Sequence, residues 1–323
     1  LQSAKTEVFI FMSLWIAVLV FLAGVVLVVK GGDLFVDAAS WIARAAHIPP
    51  FIVGATIVSF ATTLPELIVS VMASLEGKND MAVGNAVGSV TANTGLILAI
   101  ALIFMTVVAP RARYWRQCVL LIAAAGVLWL GSLQGTMAAW ANVALFVVFV
   151  GFMALNVMDA KDEPGENETV EETSGSFPKH IGLFLVGAAM IVLGSELLIN
   201  GGSSLAEALG VPERVIAVTM VAIGTSLPEL VTTLTAIRKK EANLSVGNII
   251  GANIIDLSLI LPICSLVSGG GFTVSQQCLQ IDFPACMIIT LVAIVPLLLK
   301  EKGYKVQGVV MLLLYGAYLF ITV

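Results

Sequence analysis

Long apolar runs and short polar breaks alternate from one end of the chain to the other. A run of about 20 apolar residues, rising about 1.5 Å each as a helix, matches the hydrocarbon thickness of a bilayer. Ten such spans are read, near 8–46, 50–75, 80–107, 116–133, 137–158, 179–209, 212–238, 243–267, 280–300 and 305–323. The first is too long for one perpendicular crossing, which predicts a helix that tilts strongly or runs past the bilayer. The second, third, seventh and eighth carry Pro65, Gly84, Gly88, Pro228, Gly247 and Gly251, which predict interrupted helices. The expected fold class is an all-α polytopic membrane protein of ten transmembrane helices.

The pattern repeats. A shift of 163 residues aligns 31–100 with 194–263 without a gap, with 22 identities in 70 positions. The matches include Pro49/Pro212, Thr56/Thr219, Thr62/Thr225, Pro65/Pro228, Glu66/Glu229, Gly84/Gly247, Asn85/Asn248 and Gly88/Gly251. Apolar composition does not explain matched prolines, glycines and acids. Each half holds five spans, an odd number, so the second half enters the membrane from the opposite side. The expected organisation is a five-helix repeat at 1–158 (motif 54–96), an acidic linker at 159–178 and a second repeat at 179–323 (motif 217–259). Inverted repeats of this kind place substrate sites near the bilayer midplane, where interrupted helices from both halves meet.

Composition agrees with the hydropathy pattern. The chain is 59% hydrophobic and 11% charged, with mean hydropathy +1.03; a soluble domain carries about 25% charged residues. The net charge of −5 reflects acids gathered in one loop and a few apolar stretches, and no basic patch fits nucleic acid. Cys118, Cys264, Cys278 and Cys286 lack metal-ligand spacing and read as inert packing. No basic segment precedes a short apolar core at the start, so the first span reads as a retained helix. With the N-terminus outside, 12 Lys and Arg fall in inside segments and 3 outside. That bias predicts a multi-pass cell-membrane protein with both termini outside and the acidic linker cytoplasmic. The linker has no EF-hand spacing, and its sequon Asn167-Glu168-Thr169 sits on the wrong side for glycosylation.

The chemistry lies in the repeat. Residues 56–67 read Thr-Ile-Val-Ser-Phe-Ala-Thr-Thr-Leu-Pro-Glu-Leu, and 219–230 read Thr-Met-Val-Ala-Ile-Gly-Thr-Ser-Leu-Pro-Glu-Leu. A carboxylate in an apolar span costs roughly 2.5–3.5 kcal/mol on insertion scales, so two at matching positions point to a cation site. Pro65 and Pro228 cannot donate to the carbonyls of Ala61 and Gly224, which are then free to turn to an ion. Thr62 and Glu66 are four apart, which predicts one helical face, and Thr225 and Glu229 repeat the spacing. Carboxylates, hydroxyls and carbonyls make an all-oxygen site, the preference of Ca²⁺ and Na⁺. Asn93 and Asp256 follow nine residues after Gly84 and Gly247, giving three core carboxylates with Glu66 and Glu229. Three monovalent ions would neutralise them; so would one divalent ion and a proton. Mutually exclusive occupancy of that kind is what an exchanger needs. The glycines fit helix packing as well as ion contact. Asp33 and Glu196 read as helix-end or interfacial partners, and His47 and His180, at span edges, as incidental.

These residues resemble the two repeats of the cation/Ca²⁺ exchanger superfamily, above all its prokaryotic Na⁺/Ca²⁺ exchangers. The likeness covers essentially the whole chain, with Gly-Thr-Ser-Leu-Pro-Glu intact at 224–229. It implies electrogenic exchange of Na⁺ for Ca²⁺ by alternating access, with the first and sixth helices sliding against an eight-helix core. It implies a calcium site at Glu66 and Glu229 with Thr62 and Thr225. It also implies sodium sites drawing on Thr63, Ser89, Ser226 and the carbonyls of Ser59 and Ala222, with Asn93 and Asp256 completing the centre. Three positions depart from the family pattern: Ala61 for glycine, Thr63 for serine, and Ala252 for the serine that mirrors Ser89. The last removes a hydroxyl ligand and opens a second reading, coupling to H⁺ or K⁺. The acid and histidine that the proton-coupled branch places after its Gly-Asn pair are absent at 86–90. Asn93, where K⁺-dependent relatives carry a second Asp, weighs weakly against K⁺. A passive cation channel is the remote alternative. No Ser–His or metal-ligand constellation marks an enzyme. The ions are cargo, no cofactor is implied, and the chain carries both halves of its site, so it is expected to work as a monomer in the bilayer.

Overall fold

The computed structural model describes residues 2–162, 176–209, 226–269 and 272–322. Among them every regular element is a helix, apart from isolated bridges at Val108–Lys302 and Thr136–Thr273. The helices are α1 (Gln2–Ala45), α2 (Pro50–Thr62), α3 (Leu64–Leu75), α4 (Asn79–Phe104), α5 (Arg111–Ser132), α6 (Ala139–Asp162), α7 (Phe177–Ala208), α8 (Leu227–Lys239), α9 (Ala242–Val267), α10 (Cys278–Lys300) and α11 (Lys305–Thr322). Eight described helices are long and apolar enough to cross a bilayer, nine if the bent pair α2–α3 is one span. Most of the expected seventh span, 212–238, lies outside the described residues; α8 is its end.

α1 and α7 are the two longest helices, 44 and 32 residues, and pack along each other. Glycines recur every seventh residue on both, at Gly24 and Gly31 and at Gly187, Gly194 and Gly201. A seven-residue step returns nearly to the same helical face, so these glycines form one side-chain-free seam. The backbones meet across it: a Cβ on Gly31 would lie 3.0 Å from the Gly187 carbonyl oxygen, and one on Gly187 2.7 Å from the Phe35 nitrogen. In lipid such close approach is a main source of helix association. Phe35 stacks on Phe184 with centroids 4.5 Å apart, and Trp41 on His180 at 3.7 Å, so His180 is an interfacial packing group.

α4 and α9 are the most enclosed spans and form the centre. α9 lies against α2 through glycine: a Cβ on Gly247 would come 2.2 Å from the Phe51 carbonyl oxygen, and one on Gly251 2.3 Å from that of Ala55. Here the structure corrects the sequence reading. α4 runs unbroken through Gly84 and Gly88, and α9 through Gly247 and Gly251. A glycine keeps its N–H, so it weakens a helix by only about 1 kcal/mol without breaking it. The irregularities fall further on, in π-helical turns at Asn93–Leu98 and Asp256–Ile260. The second expected span does break, between Thr62 and Leu64, with a 45° bend. The linker also begins later than expected, because α6 continues to Asp162; Asp159 pairs with Arg116 at 2.5 Å and anchors that end.

Candidate functional site

The break at Thr63 has a local cause. Pro65 supplies no N–H, so the helix cannot continue its ladder through that position. Thr63 adopts φ −86°, ψ 0°, and α3 restarts with Pro65 and Glu66 in its first turn. Ser226, 163 residues on, has φ −85°, ψ 6°, and α8 restarts with Pro228 and Glu229. Leu67 N donates to Thr63 O at 3.1 Å, as Leu230 N does to Ser226 O at 3.0 Å. A helix N-terminus leaves amides unsatisfied and carries positive potential, so each carboxylate sits where a negative charge is least costly.

Glu66, Glu229 and Asp256 are buried, none more than 1% exposed. Glu66 feels the charges of both Glu229 and Asp256, and Asp256 that of Glu229. None of their six carboxylate oxygens has a hydrogen-bond partner among the described residues, nor does Asn93 Oδ1. Buried polar groups are rarely left so, and several buried anions side by side are costly unless a cation joins them. Among the described residues no three His, Cys, Asp or Glu side chains stand at ligand spacing for one metal. A single ion held here would therefore also take hydroxyl and carbonyl oxygens.

Hydroxyls line the same place. The Thr62 and Thr63 side chains lie beside Glu229. Their Oγ1 atoms nonetheless donate to the Ser59 carbonyl, at 3.3 and 2.6 Å, and close no hydrogen bond to the carboxylate. Thr62 and Glu66 therefore do not share one continuous helical face, as their spacing predicted. The bend separates them, and Thr62 faces the carboxylate of the other half. Ser89 lies beside Asp256 and accepts from Ser226 Oγ and Asn93 Nδ2, each at 3.3 Å. Ser59 is buried, its carbonyl already accepting from Thr63 N at 2.9 Å. Glu66, Glu229, Asp256, Asn93, Ser89, Ser226, Thr62, Thr63 and Ser59 are thus one neighbourhood. Thr225 and Ala222 lie outside the described residues.

A family model described as sodium/calcium exchanger protein matches residues 16–158 and 179–323. The chain belongs to the sodium/calcium exchanger family. This family consists of exchangers, which are transporters and not enzymes, within the cation/Ca²⁺ exchanger superfamily. The inner membrane protein YrbG of Escherichia coli is 35% identical over 269 residues, covering 79% of this chain and 81% of its own. The sodium/calcium exchanger MaX1 of Methanosarcina acetivorans is 28% identical over 342 residues, covering 94% and 97%. The solved structure of the sodium-calcium exchanger NCX_Mj soaked with Na⁺ and Sr²⁺ superposes with TM-score 0.81 at 27% identity, over 94% of this chain and 97% of that one.

This exchanger-family chain also has site neighbours that its sequence did not single out. Asn248 Oδ1 lies 3.2 Å from Thr62 Oγ1 and shares that hydroxyl's one proton with the Ser59 carbonyl. Asn85 Nδ2 reaches Ser70 Oγ at 2.9 Å and the Glu66 carbonyl at 3.3 Å, tying α4 to the start of α3. Asn253 Nδ2 donates to Thr94 Oγ1 at 2.8 Å and joins the two central helices. Asn85 and Asn248 were visible as matched positions, but Asn253 has no counterpart and gave no signal. Asp33 is an interfacial partner as expected, pairing with Arg238 and, at 3.7 Å, with Lys239. Glu196 is exposed.

Proposed function

We propose that this chain exchanges Na⁺ for Ca²⁺ across the membrane by alternating access at an all-oxygen site near the midplane. One observation carries the reading: three buried carboxylates, drawn from both halves, lie within reach of one another's charge with no hydrogen bond to their oxygens. Such a site needs a bound cation or protons to offset its charge, which ties ion occupancy to the shape of the cage. Glu66 and Glu229 hold the divalent ion with Thr62 and Thr225. Thr63, Ser89, Ser226, Ser59 and Ala222 serve the monovalent ions, and Asn93 and Asp256 close the centre. The architecture proposed is ten spans in two inverted five-helix repeats, with both termini outside and the acidic linker cytoplasmic. In it, α1 and α7 move as one unit past the remaining helices, and the chain acts as a monomer.

Ala252 favours a second reading, coupling to H⁺ or K⁺. Its repeat mate Ser89 offers a hydroxyl to Ser226 and Asn93, whereas Ala252 is fully buried and offers none. The deciding measurement is ⁴⁵Ca²⁺ uptake into proteoliposomes loaded with Na⁺, with K⁺ or with a pH gradient alone. Uptake driven by outward Na⁺ is expected. Uptake driven only by H⁺ or K⁺ would overturn the Na⁺ assignment, and uptake with no counter-ion gradient would make the chain a channel.

A further inference from the structure

A groove of about 530 Å³ opens on the outer surface of the bundle between α5 and α10, away from the carboxylates. Arg111, Trp115 and Val119 line one wall and Val295, Leu298 and Leu299 the other. The α5 residues are four apart, so the wall is a single stripe about 12 Å long. One leaflet's hydrocarbon is about 15 Å deep. The groove therefore spans most of a leaflet, with a guanidinium at one end and only apolar side chains below it.

The charges at that end are one-sided. Arg111, Lys300, Lys302 and Lys305 are exposed, and none has an ion pair among the described residues. Glu301 is a nearby anion, its Oε1 accepting from the Arg111 backbone amide at 3.1 Å, and its single charge still leaves the four cations in excess. Arg116 is spent on Asp159. Trp115 is 44% exposed, the partly apolar, partly polar ring typical of the membrane interface. Basic pockets between transmembrane helices hold anionic headgroups when an apolar track continues beneath them.

We propose that this groove is a binding site for one anionic phospholipid. The phosphate pairs with Arg111 and Lys300, and an acyl chain lies along Trp115, Val119, Val295 and Leu299. The site is independent of which ions the central carboxylates exchange.

The test uses the full chain in neutral detergent, stripped of lipid and titrated with phosphatidylglycerol, phosphatidylcholine or inorganic phosphate, with native mass spectrometry as readout. One phosphatidylglycerol is expected to stay bound where phosphatidylcholine and phosphate do not. Arg111→Gln and Lys300→Gln should each weaken its retention about fivefold, the weight of one interfacial basic residue. Leu299→Trp, at a lipid-facing position, should block the track and lose the lipid with both cations in place. All three variants should keep the wild-type unfolding midpoint and ion flux in pure phosphatidylcholine vesicles. Equal retention of both lipids, phosphate binding as well as phosphatidylglycerol, a dimer that masks the groove, or undiminished retention in Arg111→Gln and Leu299→Trp would each overturn the proposal.

Discussion

Glu66 and Glu229 are fully buried with no hydrogen bond closed to their carboxylate oxygens, and that sets what their amides would do. Glu66→Gln or Glu229→Gln removes an anionic ligand, and losing a buried charge interaction costs about 3 kcal/mol, or roughly a hundredfold in ion affinity. ⁴⁵Ca²⁺ flux is expected to fall to about one per cent or less. The same change removes one of several mutually repelling charges, so the unfolding midpoint in ion-free buffer should hold or rise. Flux at wild-type level in either variant would show that the carboxylates are structural. This pair was legible in the sequence, because a repeated charge in an apolar run has no cheaper explanation. The partner of each hydroxyl was not. Spacing put Thr62 with Glu66, but the bend at Thr63 turns Thr62 toward Glu229 and Asn248.

Helices in this protein are shaped by where backbone groups lose or keep their partners. Pro296 sits inside α10 and cannot donate to the Val292 carbonyl. Gln307 of α11 supplies the missing donor, its Nε2 reaching Val292 O at 3.0 Å and Ala293 O at 2.6 Å. Gln307→Leu leaves buried carbonyls without that donor and should cost about 1–3 kcal/mol, read as a lower unfolding midpoint. The α1–α7 seam gives the opposite kind of test, too much atom instead of too little. Gly187→Val would drive side-chain carbons into the Phe35 backbone, where a Cβ already comes within 2.9 Å of the Cα. A loss of about 1–3 kcal/mol is expected. Gly316→Ala, at a position with open space, should be neutral or stabilising. Equal effects at 187 and 316 would mean that the seam is not tightly packed. Among the described residues, helix ends followed from hydropathy to within about six residues. The break beside Pro65 followed as well, but the interruptions expected at glycines did not, because a glycine keeps its N–H and the irregular turns fall further along the helices.

Apolar packing fills the middle of the molecule, and ion pairs join α1 to α8 and to the start of α9. α8 presents Arg238 and Lys239 to Asp33 and Asp37 of α1, the latter at 2.6 Å, and Arg44 reaches Glu241 at 3.6 Å. The face proposed to be inside also gathers Arg111, Lys300 and Lys302. Orientation can be read by impermeant maleimide labelling, since the native cysteines are all buried. Lys78→Cys should label in intact cells, and Lys302→Cys only after permeabilisation. The reverse pattern would invert the proposed topology.

Hydropathy and the internal repeat alone settled that the chain is a helical membrane protein with paired acidic motifs. Both are properties of sequence order: bilayer thickness fixes span length, and a buried carboxylate needs a purpose wherever the chain goes. Which oxygens meet was decided only in three dimensions. Thr62 and Thr63 beside Glu229, Ser89 between Ser226 and Asn93, and Asn253 on Thr94 bring together residues from distant parts of the chain. Their meeting depends on how closely glycine lets α9 approach α2 and on how sharply a proline bends the chain, and neither distance nor angle is written in residue spacing.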